Sequence, residues 1–346
     1  MSILGSSSVS KGEESKKGLP AGAKLALLAV LVLLCGILGV SLGSTIIDLP
    51  AAFAGAISGD FSSPQSRILL YVRLPRVSAA MLAGSALAVS GMLIQAVLNN
   101  PLAAPNVIGV NAGAGFFTFL AIAILPGVRG AAQLGAFFGA LFAVLLVCAV
   151  SAGTGRLTII LSGVAVSSIF TAGINTVKTF YPDTLYNGST FLIGGFSGIS
   201  LKDLSPAWAM ILAALIISWL MSGQADLLGL GEASARSLGM NVGLARFGLI
   251  ILSCILAGCA VSFSGLLSFV GLLAPHMVRR IFGEARTSHR VLIPAAALLG
   301  AGFVTLCDLL SRILFAPYEL PVGILLSALG GPFFLALLLR ERRRRL

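Results

Sequence analysis

The sequence predicts an all-α integral membrane protein with about ten transmembrane helices and both termini in the cytoplasm. Two observations exclude a soluble protein: 57% of the 346 residues are hydrophobic and only 10% are charged, whereas about 25% of the residues of a soluble domain are charged. The third observation is length. A helical span needs about 20 apolar residues, so the chain has room for about ten spans and for no sizeable soluble domain. Forty-one glycines fit this class, because small residues let helices approach closely in lipid.

The first 23 residues are rich in Ser, Gly and Lys and lack apolar periodicity, which predicts a disordered cytoplasmic tail. The following run, KLALLAVLVLLCGILGVSLG, begins at Lys24. It is longer than the core of about 7–15 residues in a signal peptide, and no clear A-x-A site follows it. We therefore predict a retained first span, one transmembrane domain over 24–340 and a basic cytoplasmic tail over 341–346.

Apolar runs between polar or turn-forming residues define the remaining spans. The break near SFSGLL, between the seventh and eighth spans, is the weakest boundary. Without it the count would be nine, and the two termini would lie on opposite sides. The apolar piece at 189–200 is too short to cross and is predicted to pack as a partial helix. The predicted spans are 24–45, 72–96, 106–126, 130–152, 157–181, 204–222, 245–263, 265–282, 290–312 and 320–340.

The basic residues support this topology, because cytoplasmic segments carry an excess of Lys and Arg. The same distribution makes the net charge of +11 a topology signal and argues against a nucleic-acid-binding protein. The residues in or beside internal segments are Lys11, Lys16, Lys17, Arg156, Arg236, Arg246, Arg279, Arg280, Arg286, Arg290 and the terminal arginines. The residues on the external side are Arg67, Arg73, Arg76, Arg129 and Arg312.

Three of these external arginines need an explanation that the topology rule does not give. Arg73 and Arg76 flank Pro75, which suits the first turn of a helix because its φ is fixed and its N–H is missing. Both guanidinium groups are thus held at the outer end of the second span, and Arg312 lies on the same side. One interpretation is a dock for an acidic outside partner, since arginine binds carboxylates bidentately. The other is that they grip lipid phosphates or pair with Asp308 and Glu319.

The two longest segments between spans, one on each side of the membrane, have different sequence patterns. The external segment 46–71 is turn-rich and weakly apolar, which predicts a surface loop. The internal segment 223–244 is too polar to cross, and glycines at 229, 231, 239 and 243 divide it into two predicted short helices. Within it, Glu232 and Arg236 are spaced i,i+4 and can pair.

Several polar residues lie within or beside the spans. The two prolines of NNPLAAPN end backbone helicity after the second span, where Asn99, Asn100 and Pro101 form either a simple turn or part of a path through the protein. Lys178, near the outer end of the fifth span, either reaches the lipid interface or lines an outer vestibule for an anionic ligand. Asp308 and Arg312 are spaced to pair on one helix. His276 is interpreted as a packing residue.

Motifs for chemistry are absent from the sequence. No G-x-x-x-x-G-K-[ST] segment is present, so the chain itself is not expected to bind ATP. The five cysteines lie inside apolar runs without the spacing of a disulfide framework or a metal site. We therefore expect no catalytic residue, no metal and no cofactor in this chain.

The segment RLPRVSAAMLAGSALAVSGMLIQAVLNNPLAAPNVIGVNAGAG and the later segments FVGLLAPHMVRRIFG and CDLLSRILFAPYELPVGILLSALGGPFF resemble the FecCD-type permease family of binding-protein-dependent ABC importers. The resemblance covers roughly 70–340, and the first 70 residues match in character only. One departure is Ser268, where the family often has isoleucine or alanine before the phenylalanine. The matching residues are Arg73, Pro75, Arg76, Ser90, Gly91, Gln95, Asn100, Pro101, Leu102, Ala103, Pro105, Gly109, Val110, Gly113, Ala114, Pro275, His276, Asp308, Arg312, Glu319, Leu320, Pro321, Gly323, Gly330 and Pro332.

This resemblance implies a permease in the cytoplasmic membrane of a bacterium or archaeon that takes up a ferric siderophore, haem or cobalamin. It implies two cytoplasmic ATPase subunits that use ATP and Mg²⁺, a periplasmic or lipoprotein binding protein, and a second permease copy or paralogue. The binding protein would dock at Arg73, Arg76 and Arg312. The ATPase would contact a coupling segment at Gly231, Glu232, Ala235, Arg236, Leu238 and Gly239. The translocation path would include Gln95, Asn99, Asn100 and Pro101, and Lys178 is added to it only if it lines the outer vestibule.

Two other classes stay open at the level of sequence. A secondary transporter would show inverted repeats, and SGMLIQAVLNNP at 90–101 echoes SGLLSFVGLLAP at 264–275. Against it, Asp308 and Glu319 are the sole candidates for the intramembrane carboxylates that a proton-coupled carrier needs. A structural membrane subunit is the second alternative, but it would need neither the polar inner loop nor the external arginines.

Overall fold

A computed structural model describes residues 19–43, 45, 47–58, 63–283 and 287–345. Most of the predicted N-terminal tail, Arg286 and Leu346 lie outside this part of the chain. The described residues form α-helices joined by short connections. The helices are α1 (Ala21–Ser41), α2 (Leu49–Ser58), α3 (Pro64–Ile68), α4 (Leu74–Leu98), α5 (Val110–Ile124), α6 (Ala131–Val150), α7 (Arg156–Phe180), α8 (Thr184–Ile193), α9 (Leu201–Leu220), α10 (Ser222–Gly229), α11 (Glu232–Ser237), α12 (Val242–Ser264), α13 (Val270–Phe282), α14 (His289–Ile313) and α15 (Val322–Arg345).

Each of the ten predicted spans corresponds to one helix, which confirms the all-α membrane class. Within the described ranges, eight helical segments are long and apolar enough to cross a membrane. The other two, α5 and α13, have 15 and 13 residues. At about 1.5 Å per residue they are shorter than the hydrocarbon core of about 30 Å. Ten crossings with both ends in the cytoplasm therefore stay a prediction, as does the division into tails and a single domain.

The prediction of a surface loop at 46–71 is wrong, because most of this segment is helical. Helix α2 covers its first half, and α3 leads through a π-helical turn, Leu69–Arg73, directly into α4. The Ser66 hydroxyl donates to the Ala52 carbonyl at 3.3 Å and holds α3 against α2. Alanine is the best helix former, so the alanines of this weakly apolar segment favour helix where its turn residues suggested a loop.

The predicted break between the seventh and eighth spans is confirmed, but α13 begins five residues later than predicted. Gly265 and Phe269 have φ angles of +67° and +65°, and the chain between them is not helical. Its backbone finds partners elsewhere, since the Leu266 N–H donates to the Phe191 carbonyl at 2.8 Å. Phe191 belongs to α8, the partial helix predicted at 189–200, which begins earlier than expected and ends at Ile193.

Helix α4 lies at the centre of the bundle and packs against α12, α13 and α14. Paired glycines allow these contacts. A Cβ atom on Gly91 would lie 1.8 Å from the Gly271 carbonyl oxygen, and one on Gly84 would lie 2.2 Å from that of Gly300. The Ser90 hydroxyl, next to Gly91, lies 2.7 Å from that of Ser253 on α12. The glycine content thus serves the close helix approach that the composition predicts.

Candidate coupling, docking and translocation sites

The internal segment predicted at 223–244 forms two short helices, as expected from its glycines. Helices α10 and α11 are separated at Gly231 and followed by Gly239, with φ angles of +97° and +83°. Of the predicted coupling residues, Ala235 is buried and anchors α11, whereas Leu238 and Gly239 are exposed. A Cβ atom on Gly239 would meet no atom within 4 Å, so the outer face of this segment is open.

Glu232 connects the coupling segment to two long helices. Its carboxylate accepts a hydrogen bond from Arg246 in the first turns of α12 and lies 3.7 Å from Arg156 Nε at the start of α7. The hydrogen bond from Arg246, with the positive charges of Arg246 and Arg156, holds the pKa of Glu232 below its usual value. Arg236, the predicted i,i+4 partner, makes no salt bridge with this carboxylate and only adds its positive charge to the lowering of the pKa. The salt bridges are formed by Arg246 and Arg156, because α12 folds back over α11.

A second polar contact links α10 to the start of α14. The Asp226 carboxylate accepts hydrogen bonds from the Ser288 hydroxyl and, at 2.9 Å, from the His289 backbone N–H. Its Oδ1 also lies 2.6 Å from His289 Nδ1. Burial alone would raise the pKa of Asp226, but these hydrogen bonds hold it below its usual value. Sequence reasoning missed this contact, because the partners are 62 and 63 residues apart.

Two of the arginines predicted to be external, Arg76 and Arg312, form a buried ionic cluster with Asp308 and Glu319. Arg76 Nε lies 3.0 and 3.1 Å from the two oxygens of Asp308, and Arg76 Nη1 lies 2.6 Å from Glu319 Oε2. Arg312 Nε lies 3.2 Å from Asp308 Oδ2, which confirms the predicted pair. Asp308, Arg76 and Arg312 are at most 5% exposed.

Arg73 and Arg312 also cap the C-terminal end of α1. Arg73 donates to the carbonyls of Val40 and Ser41 at 2.8 and 2.6 Å and to that of Thr45. Arg312 donates to the carbonyls of Gly39 and Leu42 at 3.1 and 3.4 Å. The last carbonyls of a helix lack intrahelical partners, and cations are favoured there. The three predicted docking arginines are therefore buried and partnered within the chain, and their role toward an outside protein stays a prediction.

Four of the five predicted path residues meet in one cavity. Gln95, Asn99, Asn100 and Pro101 line a space of about 1160 Å³ between the inner end of α4 and parts of α13, α14 and α15. Helicity ends here as predicted, with Asn99 in the left-handed region at a φ of +48°. The Asn100 side chain accepts a hydrogen bond from the Leu102 N–H at 2.9 Å.

Lys178, the fifth predicted path residue, does not line this cavity. It lies in the last turn of α7, and its Nζ is 5.1 Å from the centre of the Phe119 ring on α5. A cation at this distance from an aromatic face is attracted to it. The side chain is half-buried and points toward a neighbouring helix. Its role toward an anionic ligand stays a prediction.

Comparisons with known proteins agree with this architecture. The family model described as the FecCD transport family matches residues 30–340. The hemin transport system permease protein HmuU of Yersinia pestis is 37% identical over 316 residues, which are 87% of this chain and 94% of that protein. The achromobactin transport system permease protein CbrC of Dickeya dadantii is 35% identical over 325 residues, 92% and 91% of the two chains.

A solved structure gives the same result. A chain of an inward-facing ABC transporter, described as of the metal-chelate type, superimposes with a TM-score of 0.82 at 28% identity. The match covers 92% of this chain and 99% of the other. The prediction of an ABC importer permease is confirmed, and the secondary-transporter alternative is excluded. The chain belongs to the FecCD transport family.

Proposed function

We propose that this chain is the translocation subunit for an iron complex, a ferric siderophore or haem, or for cobalamin, in the cytoplasmic membrane of its cell. Two permease chains, identical or paralogous, would enclose the path, and two partner ATPases would bind and hydrolyse ATP with Mg²⁺. The names of the relatives, which refer to hemin and to achromobactin, support an iron-containing cargo. No catalytic residue or cofactor is assigned to this chain.

The exposed face of the coupling segment carries this proposal. Leu230, Leu238 and Leu244 are 62%, 63% and 69% exposed around α11. Exposed apolar residues that cluster on an otherwise polar surface mark a site of protein contact. Under the predicted topology this face lies in the cytoplasm, where an ATPase would bind it. Gly239 leaves room for a close approach of the partner.

Glu232 supplies a physical connection from that face to the membrane. A displacement of α11 by the ATPase would be transmitted through Glu232 to Arg246 on α12 and to Arg156 on α7. Helix α7 ends near Lys178 on the outer side. In this proposal the Glu232 contacts link nucleotide-driven motion inside to helix movement across the membrane.

The test is a large residue on the open face. Gly239→Trp should abolish co-purification of the ATPase, or leave ATP hydrolysis without uptake, because the indole occupies the space of the partner. Gly127→Trp is a matched control: Gly127 also has a positive φ and open surroundings, but it lies in the predicted external connection after α5. Normal uptake by the Gly239→Trp transporter would contradict the assignment.

We propose that the binding protein docks over Arg73, Arg76 and Arg312, where Arg76 and Arg312 form an ionic cluster with Asp308 and Glu319. The arginines are already paired, so an incoming carboxylate would compete with Glu319, whose side chain is 31% exposed. Reversing Arg73 and Arg76 to glutamate should weaken the binding protein at least about tenfold, which is about 1.4 kcal/mol. A weakening of the wild-type affinity by salt is also expected.

The expected competition with Glu319 provides a control variant for the docking experiment. Glu319→Gln removes the competing charge without introducing a repulsive one, so it should leave the affinity unchanged or raise it. Both measurements are made in detergent at low salt, with ATPase co-purification as the check on assembly. An unchanged affinity in the double arginine variant would show that the cluster stabilises the permease and is not a dock.

A further inference from the structure

The inner cavity contains a buried amide that the protein itself does not satisfy. Gln95 is 2% exposed, and neither its Nε2 nor its Oε1 has a hydrogen-bond partner among the described residues. A buried polar group without a hydrogen-bond partner destabilises the protein. Gln95 is one of the residues that line the cavity, so a ligand in the cavity would reach the buried amide after a small movement of this side chain.

A second polar atom at the cavity is in the same situation. His289 lines the cavity, and its Nε2 is buried without a partner, while its Nδ1 contacts Asp226. Gln95 and His289 come from two different helices, α4 and α14. Two unsatisfied polar groups on separate helices indicate a site for a hydrogen-bonding ligand.

The charged residues that line the cavity are positive, and the nearby Asp226 carboxylate lies behind His289, with which it is paired. Arg279 and Arg280 line the cavity, and the described lining residues include no Asp or Glu. The Arg279 guanidinium lies 3.4 Å from the Met92 sulfur. Met92 is one helical turn from Gln95 on the same face of α4, so the charge lies beside the unsatisfied amide. A carboxylate or a phosphate fits this set, because guanidinium groups bind such anions strongly.

The size and the remaining wall restrict the ligand further. A space of about 1160 Å³ is larger than a single anion needs, and α15 contributes Phe333, Ala336 and Leu337 to the opposite wall. A ligand that fills the cavity therefore carries its anionic group on a partly apolar body.

We propose that this cavity binds the phosphate or carboxylate group of an amphiphilic anion, with Gln95 donating a hydrogen bond to it and Arg279 and Arg280 supplying the positive charge. Two sources share this chemistry: an anionic lipid of the inner leaflet, whose headgroups bind basic pockets between helices, and a soluble anion on its way through the path. The inference deepens the proposed function. Its physiological role rests on that function, but the binding itself does not.

Binding is measured on the assembled importer without nucleotide, so that transport is not needed. The lipid arm uses nanodiscs that contain phosphatidylglycerol and phosphatidylcholine, and native mass spectrometry then counts the retained phosphatidylglycerol. The soluble arm uses nanodiscs of phosphatidylcholine alone and equilibrium dialysis of labelled phosphate and of labelled octyl phosphate. A failure of uptake with intact binding would count against the proposed function and leave this inference standing.

Gln95→Leu removes the amide at similar volume and is expected to weaken binding at least about tenfold, the loss expected for one hydrogen bond to a charged group. Gln95→Glu should abolish binding, because it places a like charge in the site. Arg280→Gln tests the charge on an exposed residue that folding does not require, and Arg290→Gln is its control, an exposed arginine nearby that does not line the cavity.

Each outcome either supports or overturns the proposed binding site. Retention of phosphatidylglycerol that depends on Gln95 supports the site with a lipid as its ligand. Binding of a soluble probe that depends on Gln95 supports it with a solute. The proposal is overturned if neither probe binds, if Gln95→Leu and Gln95→Glu bind like the wild type, or if Arg290→Gln loses as much as Arg280→Gln.

Discussion

Replacing Asp308 with asparagine tests whether the outer ionic cluster stabilises the permease. Asp308 is 1% exposed and lies between Arg76 at 3.0 Å and Arg312 at 3.2 Å. Asparagine keeps the size of the side chain but removes the charge. Two buried guanidinium groups would then share one carboxylate, Glu319, which contacts Arg76.

The expected cost follows from that geometry. Removing one partner of a buried ion pair destabilises a protein by about 3–5 kcal/mol, because the other charge stays buried without compensation. An unfolding entropy of about 2.1 cal/mol/K per residue gives about 0.7 kcal/mol/K for a chain of 346 residues. Asp308→Asn should therefore lower the Tm by about 4–7 °C.

Thermal unfolding of the purified permease in one detergent at fixed pH measures this shift. Glu319→Gln is the matched control, because its partly exposed pair is worth about 1 kcal/mol or less. The double variant Asp308→Asn/Arg312→Gln restores the charge balance and should lose less than the sum of the two single variants. Equal Tm values for Asp308→Asn and Glu319→Gln would refute the reasoning.

Three further predictions concern the coupling segment, the outer side and the packing. Glu232→Gln should reduce uptake per ATP hydrolysed. Since Arg246 lowers the pKa of Glu232, the stability that this pair contributes is present above the unfolded pKa of about 4.3 and is lost as the pH falls through the lowered folded pKa. Thermal melts of the wild type and the variant at several pH values measure this loss. Lys178→Met should leave uptake unchanged if the lysine serves the helix interface, and should weaken uptake of an anionic cargo, with normal assembly, if it lines the vestibule. Gly91→Ala should lower the Tm by more than Gly22→Ala, because a Cβ atom at Gly91 meets a backbone carbonyl oxygen whereas one at Gly22 meets nothing within 4 Å.

The features that depend on local sequence could be predicted. Apolar length located the spans, and the prolines of NNPLAAPN located the end of α4. The glycines between 229 and 243 located α11 only, because α10 ends at Gly229, whereas two short helices are predicted within 229–240. Each of these signals acts through the chain's own backbone preferences within a few residues. The family motifs added the candidate sites, of which four path residues proved to line one cavity.

The features that depend on distant partners could not be predicted. Apolar residues continue through 265–269, but this segment is not helical, and the Leu266 N–H donates to the carbonyl of Phe191 on α8 instead. Nothing near Arg73 in sequence shows that it caps α1 across more than 25 residues. Arg156 and Arg246 were explained as topology signals alone, and their shared contact with Glu232 follows from the packing of α7, α11 and α12.

The most direct measurement is uptake into proteoliposomes that contain the permease, its ATPase and the binding protein, with haem, a ferric siderophore or cobalamin as the cargo. We expect accumulation of at least one of these cargoes to require ATP on the side of α10 and α11 and to continue after a protonophore has collapsed the ion gradient. Uptake that proceeds without ATP and stops with the gradient would contradict the account.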